Sequence, residues 1–323
     1  MDISSSVLSR PPGTEPKATS LFVDGRFPRR RAVVVLLSLL GGVFVAYAWS
    51  AKLADDQIGF NSADAMLGHS ATGTPIGGLL SGVLFAFITG LAGSFTACNI
   101  VCFGAVGPLL GQTRTARGRA RQTLRPLGWM AAGMIPVSAA YGALVGIVGT
   151  RMPQFATASG HGLSPRAIQS MTAFGLVGLV MIMLGLASAG AIKDPLGPIS
   201  RRFPNAPLVL LGALIGGFLI GRPYPLFHAM FVYAANRHNP LFGALAFALQ
   251  SIGNIIVMSL VFLLLAVVFG GPVGRWLAAK PSRISILTAA AFIVAGAFSV
   301  TYWDVRVLHS AGYIWFPTAP SWG

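Results

Sequence analysis

Residues 206–236 read APLVLLGALIGGFLIGRPYPLFHAMFVYAAN. This run of 31 residues holds no acid and a single permanent cation, Arg222. As a straight helix rising about 1.5 Å per residue it would outreach a hydrocarbon core about 30 Å thick. Its middle accounts for the excess. Pro225 has no N–H to give to the carbonyl four residues back, and Pro223 lacks one in the same way. The spacing predicts a membrane helix that breaks within Gly221-Arg222-Pro223-Tyr224-Pro225. Carbonyls near 219–221 are then left without their helical donors.

Six further apolar spans flank this one: Ala32–Trp49, Pro75–Gly111, Leu127–Thr150, Ser170–Ile192, Leu241–Gly271 and Ile284–Trp303. Of the 323 residues, 54% are apolar and 10% charged, with a mean hydropathy of +0.72. A soluble fold carries about 25% charged residues. The composition indicates an all-α polytopic membrane protein and argues against disorder, a coiled coil or a disulfide-stapled domain. The net charge of +15 raises nucleic acid as a partner. Placement of the charges removes it. When sides are assigned alternately, the N-terminal tail and loops 112–126, 193–205 and 272–283 carry 17 cations. The opposite side carries 5, namely Lys52, Arg151, Arg166, Arg237 and Arg306. This bias puts the N-terminus in the cytoplasm and the C-terminus outside, and the bilayer becomes the partner instead of nucleic acid.

The chain divides into a basic cytoplasmic tail (1–31), an N-terminal anchor or signal (32–50), two groups of three spans (75–193 and 206–303) and an extracytoplasmic tail (304–323). Residues 1–28, rich in Ser, Pro and Gly, read as a flexible tail. Arg29-Arg30-Arg31 followed by an apolar run and Ala46-Tyr47-Ala48 resembles a signal sequence with a cleavage pattern. An uncleaved anchor suits a polytopic chain better. Pro75–Gly111, at 37 residues, is also too long for one straight pass. Gly93, Ser94, Thr96 and Asn99 mark where it would break. An interrupted span thus opens each group, and the groups run in opposite directions. That pattern points to two inverted three-helix repeats around a midplane site. Tyr141-Gly142-Ala143-Leu144 and Phe242-Gly243-Ala244-Leu245 are alike in corresponding spans.

Few side chains are available for chemistry. All 8 acids fall outside the spans, which weighs against a proton-driven pump. No nucleotide-binding, zinc-binding or nucleophile-elbow motif is present. Cys98 and Cys102 are the only cysteines, separated by Asn99, Ile100 and Val101 inside the first broken span. They are either small packing residues or a redox or metal pair. On a regular helix their Cβ atoms would lie about 5–6 Å apart, whereas a disulfide needs about 3.8 Å. Closure therefore requires local unwinding, or else each thiol meets an external one. His228, three residues after Pro225, is either a packing residue or a site residue. His69, His161, His238 and His309 fall in outside loops or tails. Gln250 and Asn254 share a helix face and are expected to hydrogen-bond across helices. Gly212, Gly216, Gly217 and Gly221 form small-residue packing ridges.

Gly93-Ser94-Phe95-Thr96-Ala97-Cys98 followed by Gly107-Pro108-Leu109-Leu110 resembles the first reactive helix of the cytochrome c biogenesis transmembrane family, the CcdA and DsbD membrane-domain type. The resemblance covers roughly 75–303. It implies six helices in two inverted repeats, moving reducing equivalents from a cytoplasmic thioredoxin-like protein to extracytoplasmic thiol partners. Cys98 takes the place of the first reactive cysteine. Ala97 stands where the family usually has Pro, and no cysteine follows Cys102. The second repeat's reactive position is occupied by the Arg222–Pro225 segment. A relay with one cysteine per repeat is therefore impossible here. Either Cys98 and Cys102 form a substitute pair, or the chain is a divergent relative, of the MauF type among others, with another task.

The leading expectation is a thiol–disulfide or maturation-assisting membrane protein, with Cys98 reactive and Cys102 resolving and no cofactor required. Arg222, Pro223, Pro225, His228 and Asn99 complete the candidate site. A small-solute or soft-metal permease using Cys98, Asn99, Cys102 and His228 is the alternative, and a structural subunit of a membrane complex is another. Arg222 is expected to face the protein interior, on the same cavity as Cys98, either capping the freed carbonyls or lowering the thiol pKa.

Overall fold

A computed structural model describes residues 20–23, 25, 27–49, 64–65, 79–92, 116–156, 162–221, 225–268, 276–277, 279–280 and 282–317. Among these, every extended element is a helix. We number them α1 Arg31–Ala48, α2 Leu79–Ala92, α3 Ala116–Val148, α4 Pro165–Ser188, α5 Gly197–Arg202, α6 Ala206–Gly221, α7 Pro225–Asn236, α8 Pro240–Val268, α9 Ser282–Val300 and α10 Arg306–Ser310. Five stretches are long and apolar enough to cross a membrane: Arg31–Ala48, Leu124–Arg151, Pro165–Ser188, Pro240–Leu264 and Ser282–Ser310. Shorter apolar helices cover Ser81–Leu91 and Ala206–Gly221. The all-α, multi-pass membrane character expected from composition holds.

Neighbouring helices follow the order α1, α9, α4, α6, α3, α8, α2, and α7 is tucked against α3, α2 and α8. In lipid there is little hydrophobic gain from bringing helices together, so close backbone approach has to supply the attraction. Glycine makes that approach possible. A Cβ on Gly133 would stand 1.9 Å from the Val209 carbonyl oxygen, and one on Gly212 would stand 1.9 Å from that of Met130. The α2–α8 crossing repeats this at Gly90, 1.9 Å from the Gln250 oxygen. The small-residue ridges of α6 serve two neighbours. Gly212 and Gly216 face α3 at Met130 and Met134, while Gly217 and Gly221 face α4 at Val177 and Phe174. The look-alike tetrapeptides also meet. Gly142 and Gly243 each lie against the other's carbonyl, so their likeness marks a shared α3–α8 crossing.

The contacts fix relative directions. Met130 to Ser138 on α3 tracks Gly212 to Gly216 on α6, so these helices run parallel. Gly178 meets Gly296 and Gly185 meets Ala289, so α4 and α9 run antiparallel. At one end Arg31 donates to the Gly190 carbonyl at 2.7 Å, tying the start of α1 to the end of α4. At the other end Arg306 donates to the carbonyls of Ala46 (3.1 Å) and Trp49 (3.4 Å), which are the free carbonyls at the end of α1. These directions agree with the alternation read from the charges.

Two features depart from the sequence reading. The last residues of the supposed flexible tail are packed: Phe22 is 5% exposed, with its ring 5.0 Å from that of Phe292. An aromatic ring that can be buried against the bundle is held there by its contact area. Second, helical structure does not stop at Trp303. A π-turn over Thr301–Val305 carries the chain into α10, and the Arg306 N–H bonds back to the Thr301 carbonyl. Asp304 therefore sits on a helix of a candidate span, with Oδ2 buried and without a hydrogen-bond partner among the described residues. Gly175 leaves room for it, since a Cβ there would lie 3.0 Å from Asp304 Oδ1.

Candidate functional site

The interruption predicted within 221–225 falls on residues 222–224, which lie outside the described residues, between α6 and α7. α6 ends at Gly221 and α7 begins at Pro225, whose missing N–H costs nothing at a helix start. Two carbonyls at the end of α6, one of them deprived of its helical donor by Pro225, find side-chain donors on α4. Ser170 Oγ donates to the Gly221 carbonyl. Gln169 Nε2 donates to the Ile220 carbonyl at 2.6 Å. Both donors sit in the first two turns of α4, which Ser164 starts as N-cap by accepting from the Ala167 N–H at 3.1 Å. The end of one broken helix is thus capped by the beginning of its neighbour.

A chain of side-chain hydrogen bonds extends from this cap. Gln169 Nε2 also donates to Tyr141 Oη at 2.8 Å, and Tyr141 Oη donates to Gln154 Oε1. Carbonyl chemistry sets the direction. The Ile220 oxygen can only accept, so Gln169 must present its amide nitrogen to it and to Tyr141. Gln154 arrives on short 3₁₀ turns, Gly149–Arg151 and Pro153–Phe155, that follow α3. Gly149 takes φ +67° at the bend, where a side chain would be strained. Both ends of the chain are unfinished among the described residues: Gln154 Nε2 and Gln169 Oε1 are buried without a partner.

Gln154 and Gln169 line a small pocket of about 10 Å³, room for about one water, with Arg166, Ser170, Ile220, Gly221, His228 and Phe231. The imidazole of His228 lies 5.8 Å, centroid to centroid, from the ring of Phe155. Deeper in, Phe231 stacks on Phe247 at 4.8 Å and meets Tyr141 edge-on at 6.2 Å, giving the pocket an aromatic floor. No carboxylate lines it among the described residues. The arrangement presents a guanidinium, an imidazole, a spare amide donor and a spare amide acceptor beside a helix break.

Of the sequence-derived candidates, His228 belongs to this pocket and Pro225 opens α7 beside it. Cys98, Asn99, Cys102, Arg222 and Pro223 lie outside the described residues. The carbonyls expected to need donors near 219–221 include those of Ile220 and Gly221, and the donors found on them come from α4. Gln154, Gln169, Ser170 and Tyr141 were not singled out in the sequence as site residues. Their signal was present, as amides and hydroxyls at or near the ends of otherwise apolar spans. The pairing of Gln169 and Ser170 with carbonyls 51 residues away was not readable from spacing. Gln250, expected to bond across helices, is 3% exposed and keeps Oε1 without a partner among the described residues. Compared with protein-family models, with curated proteins and with solved structures, the chain finds no match in any of the three.

Proposed function

We propose that this membrane bundle exchanges thiols and disulfides across the cytoplasmic membrane on behalf of an extracytoplasmic redox protein. The observation that carries the reading is the Cys98-Asn99-Ile100-Val101-Cys102 pair, the chain's only cysteines, in the motif quoted above. The architecture of two inverted three-helix repeats belongs to the same proposal. It draws support from the α6–α7 interruption and from the matched crossings of α3 with α6 and α2 with α8. In the proposed chemistry the Cys98 thiolate attacks a partner disulfide, forms a mixed disulfide and releases one partner thiol. The Cys102 thiolate then attacks Cys98, closes the Cys98–Cys102 disulfide and releases the second thiol. Two electrons leave the pair for the partner. A cytoplasmic dithiol protein of thioredoxin type returns them by the reverse exchange.

Acid-quenched alkylation tests this in cells. The account expects a fraction of the chain with Cys98 and Cys102 oxidised under oxidising growth, returning to two alkylated thiols after a reductant pulse. Two cysteines that stay fully reduced under every redox condition overturn it. A second reading, a permease for a small polar solute, is favoured by the pocket at the helix break. Uptake that persists in a Cys98→Ser, Cys102→Ser double variant would favour that reading.

A further inference from the structure

We infer that residues 313–316 form an aromatic anchor that lies in the headgroup layer of the bilayer at the C-terminal end of α10. This assignment stands apart from the thiol chemistry and uses only the membrane-crossing character of the bundle. The chain does not run free after α10. Gly312, at φ +79°, lets its own N–H reach the His309 carbonyl and the Tyr313 N–H reach the Leu308 carbonyl, both at 2.9 Å. This paired cap closes the helix and turns the chain back along it. His309 then fastens the returning segment. Its Nδ1 lies 3.1 Å from the Phe316 nitrogen and 3.1 Å from the Ile314 oxygen. With a lone pair on Nδ1 the ring accepts from the Phe316 N–H, and with a proton there it donates to the Ile314 carbonyl. The turn has a partner in either state. Held in this way, it leaves Trp315 83% and Tyr313 61% exposed, with Ile314 exposed between them.

Level, neighbours and composition name the bilayer as what covers these side chains. The candidate span Ser282–Ser310 has 29 residues, a helical length of about 43 Å. A bilayer measures about 40–45 Å with both headgroup layers included. Ser310 therefore reaches the far edge of one headgroup layer, and the turn brings 313–316 back beside His309, within that layer. The neighbours agree. Arg306 bonds the last carbonyls of α1 and stacks on Tyr302 at 4.7 Å, which puts Tyr47, Trp49 and Tyr302 at this same end. Tyr313 and Trp315 continue that group, and such aromatic belts sit at the membrane–water interface. Residues 311–317 read AGYIWFP, with no charge to desolvate and none to pair with a soluble partner. The backbone of a turn still needs water, which the headgroup layer holds and the hydrocarbon does not, so the depth is bounded from both sides. Trp and Tyr suit that layer because each joins an apolar ring to one polar group.

The test uses the full chain, one copy per phosphatidylcholine nanodisc, so that neither a second copy nor another protein can cover the turn. The tryptophan emission of a Trp315→Phe variant is subtracted from that of the native chain, and the difference is the emission of Trp315. An exposed ring exchanged for another ring leaves the fold intact. We expect the difference emission to be blue-shifted from that of tryptophan in water. It should lose most of its intensity when the lipids carry bromine on the acyl carbons nearest the headgroup, and little to aqueous iodide. Emission at the wavelength of tryptophan in water, quenched by iodide and untouched by bromine, would overturn the assignment and leave the turn as a face for a soluble protein. Quenching strongest for bromine near the ends of the acyl chains would overturn it as well, by placing the turn in the hydrocarbon. So would an emission shielded from both quenchers, which would mean that the chain itself covers the ring.

Discussion

Alanine in place of Gly133 will destabilise the bundle by about 3 kcal/mol, the upper part of the range for overpacking. The added Cβ would stand 1.9 Å from the Val209 carbonyl oxygen, and the obstacle is backbone, which no rotamer change can remove. Relief demands that α3 and α6 separate along their whole contact. In lipid that separation forfeits the packing on which association depends. Gly212→Ala acts on the same crossing, against Met130, and should cost a similar amount. The double variant should lose clearly less than the sum, because helices already pushed apart accommodate the second methyl. Gly128→Ala, one turn away on α3 with nothing within 4 Å, should leave stability unchanged or raise it slightly through helix propensity. Denaturant unfolding in mild detergent would read all four. Equal stability of Gly133→Ala and Gly128→Ala would contradict the close approach.

The second large effect belongs to the cap on α6. Gln169→Leu removes the donor to the Ile220 carbonyl and to Tyr141 together, leaving buried polar groups short of partners. Each such loss costs about 1–3 kcal/mol. Ser170→Ala strips the donor from the Gly221 carbonyl, whose helical donor Pro225 cannot provide. We expect about 2–4 kcal/mol for Gln169→Leu, less for Ser170→Ala, and strong coupling between Gln169→Leu and Tyr141→Phe because they share one hydrogen-bond chain. A double-mutant cycle on thermal unfolding would show it. Additive effects at Gln169 and Tyr141 would mean that the chain is not a unit.

How far the sequence reaches follows from the range of each interaction. A break in 206–236 could be predicted because proline acts on its own backbone within four residues. The glycine ridges of α6 were legible because helical spacing places Gly212 with Gly216 and Gly217 with Gly221. Which neighbour each ridge would meet was not legible, since that is decided by tertiary packing. The same holds for the capping donors: freed carbonyls announce a need, and nothing local names Gln169 or Ser170 as what meets it. Asp304 was placed in a tail because apolar periodicity ends near Trp303. The π-turn that carries the helix past it leaves no mark in composition. Phe22 shows the opposite limit, a single aromatic that anchors a polar segment the composition assigns to solvent.

The functional claim stands on Cys98 and Cys102, and trapping the mixed disulfide tests it most directly. In cells carrying Cys102→Ser, the Cys98 mixed disulfide has no resolving thiol. Non-reducing gels of acid-quenched membranes should then show a heavier, reductant-sensitive species that contains this chain and a thioredoxin-like partner. The species should vanish in the Cys98→Ser, Cys102→Ser double variant. Gels with no such species under oxidising or reducing growth, or with the same species in the double variant, would contradict the account.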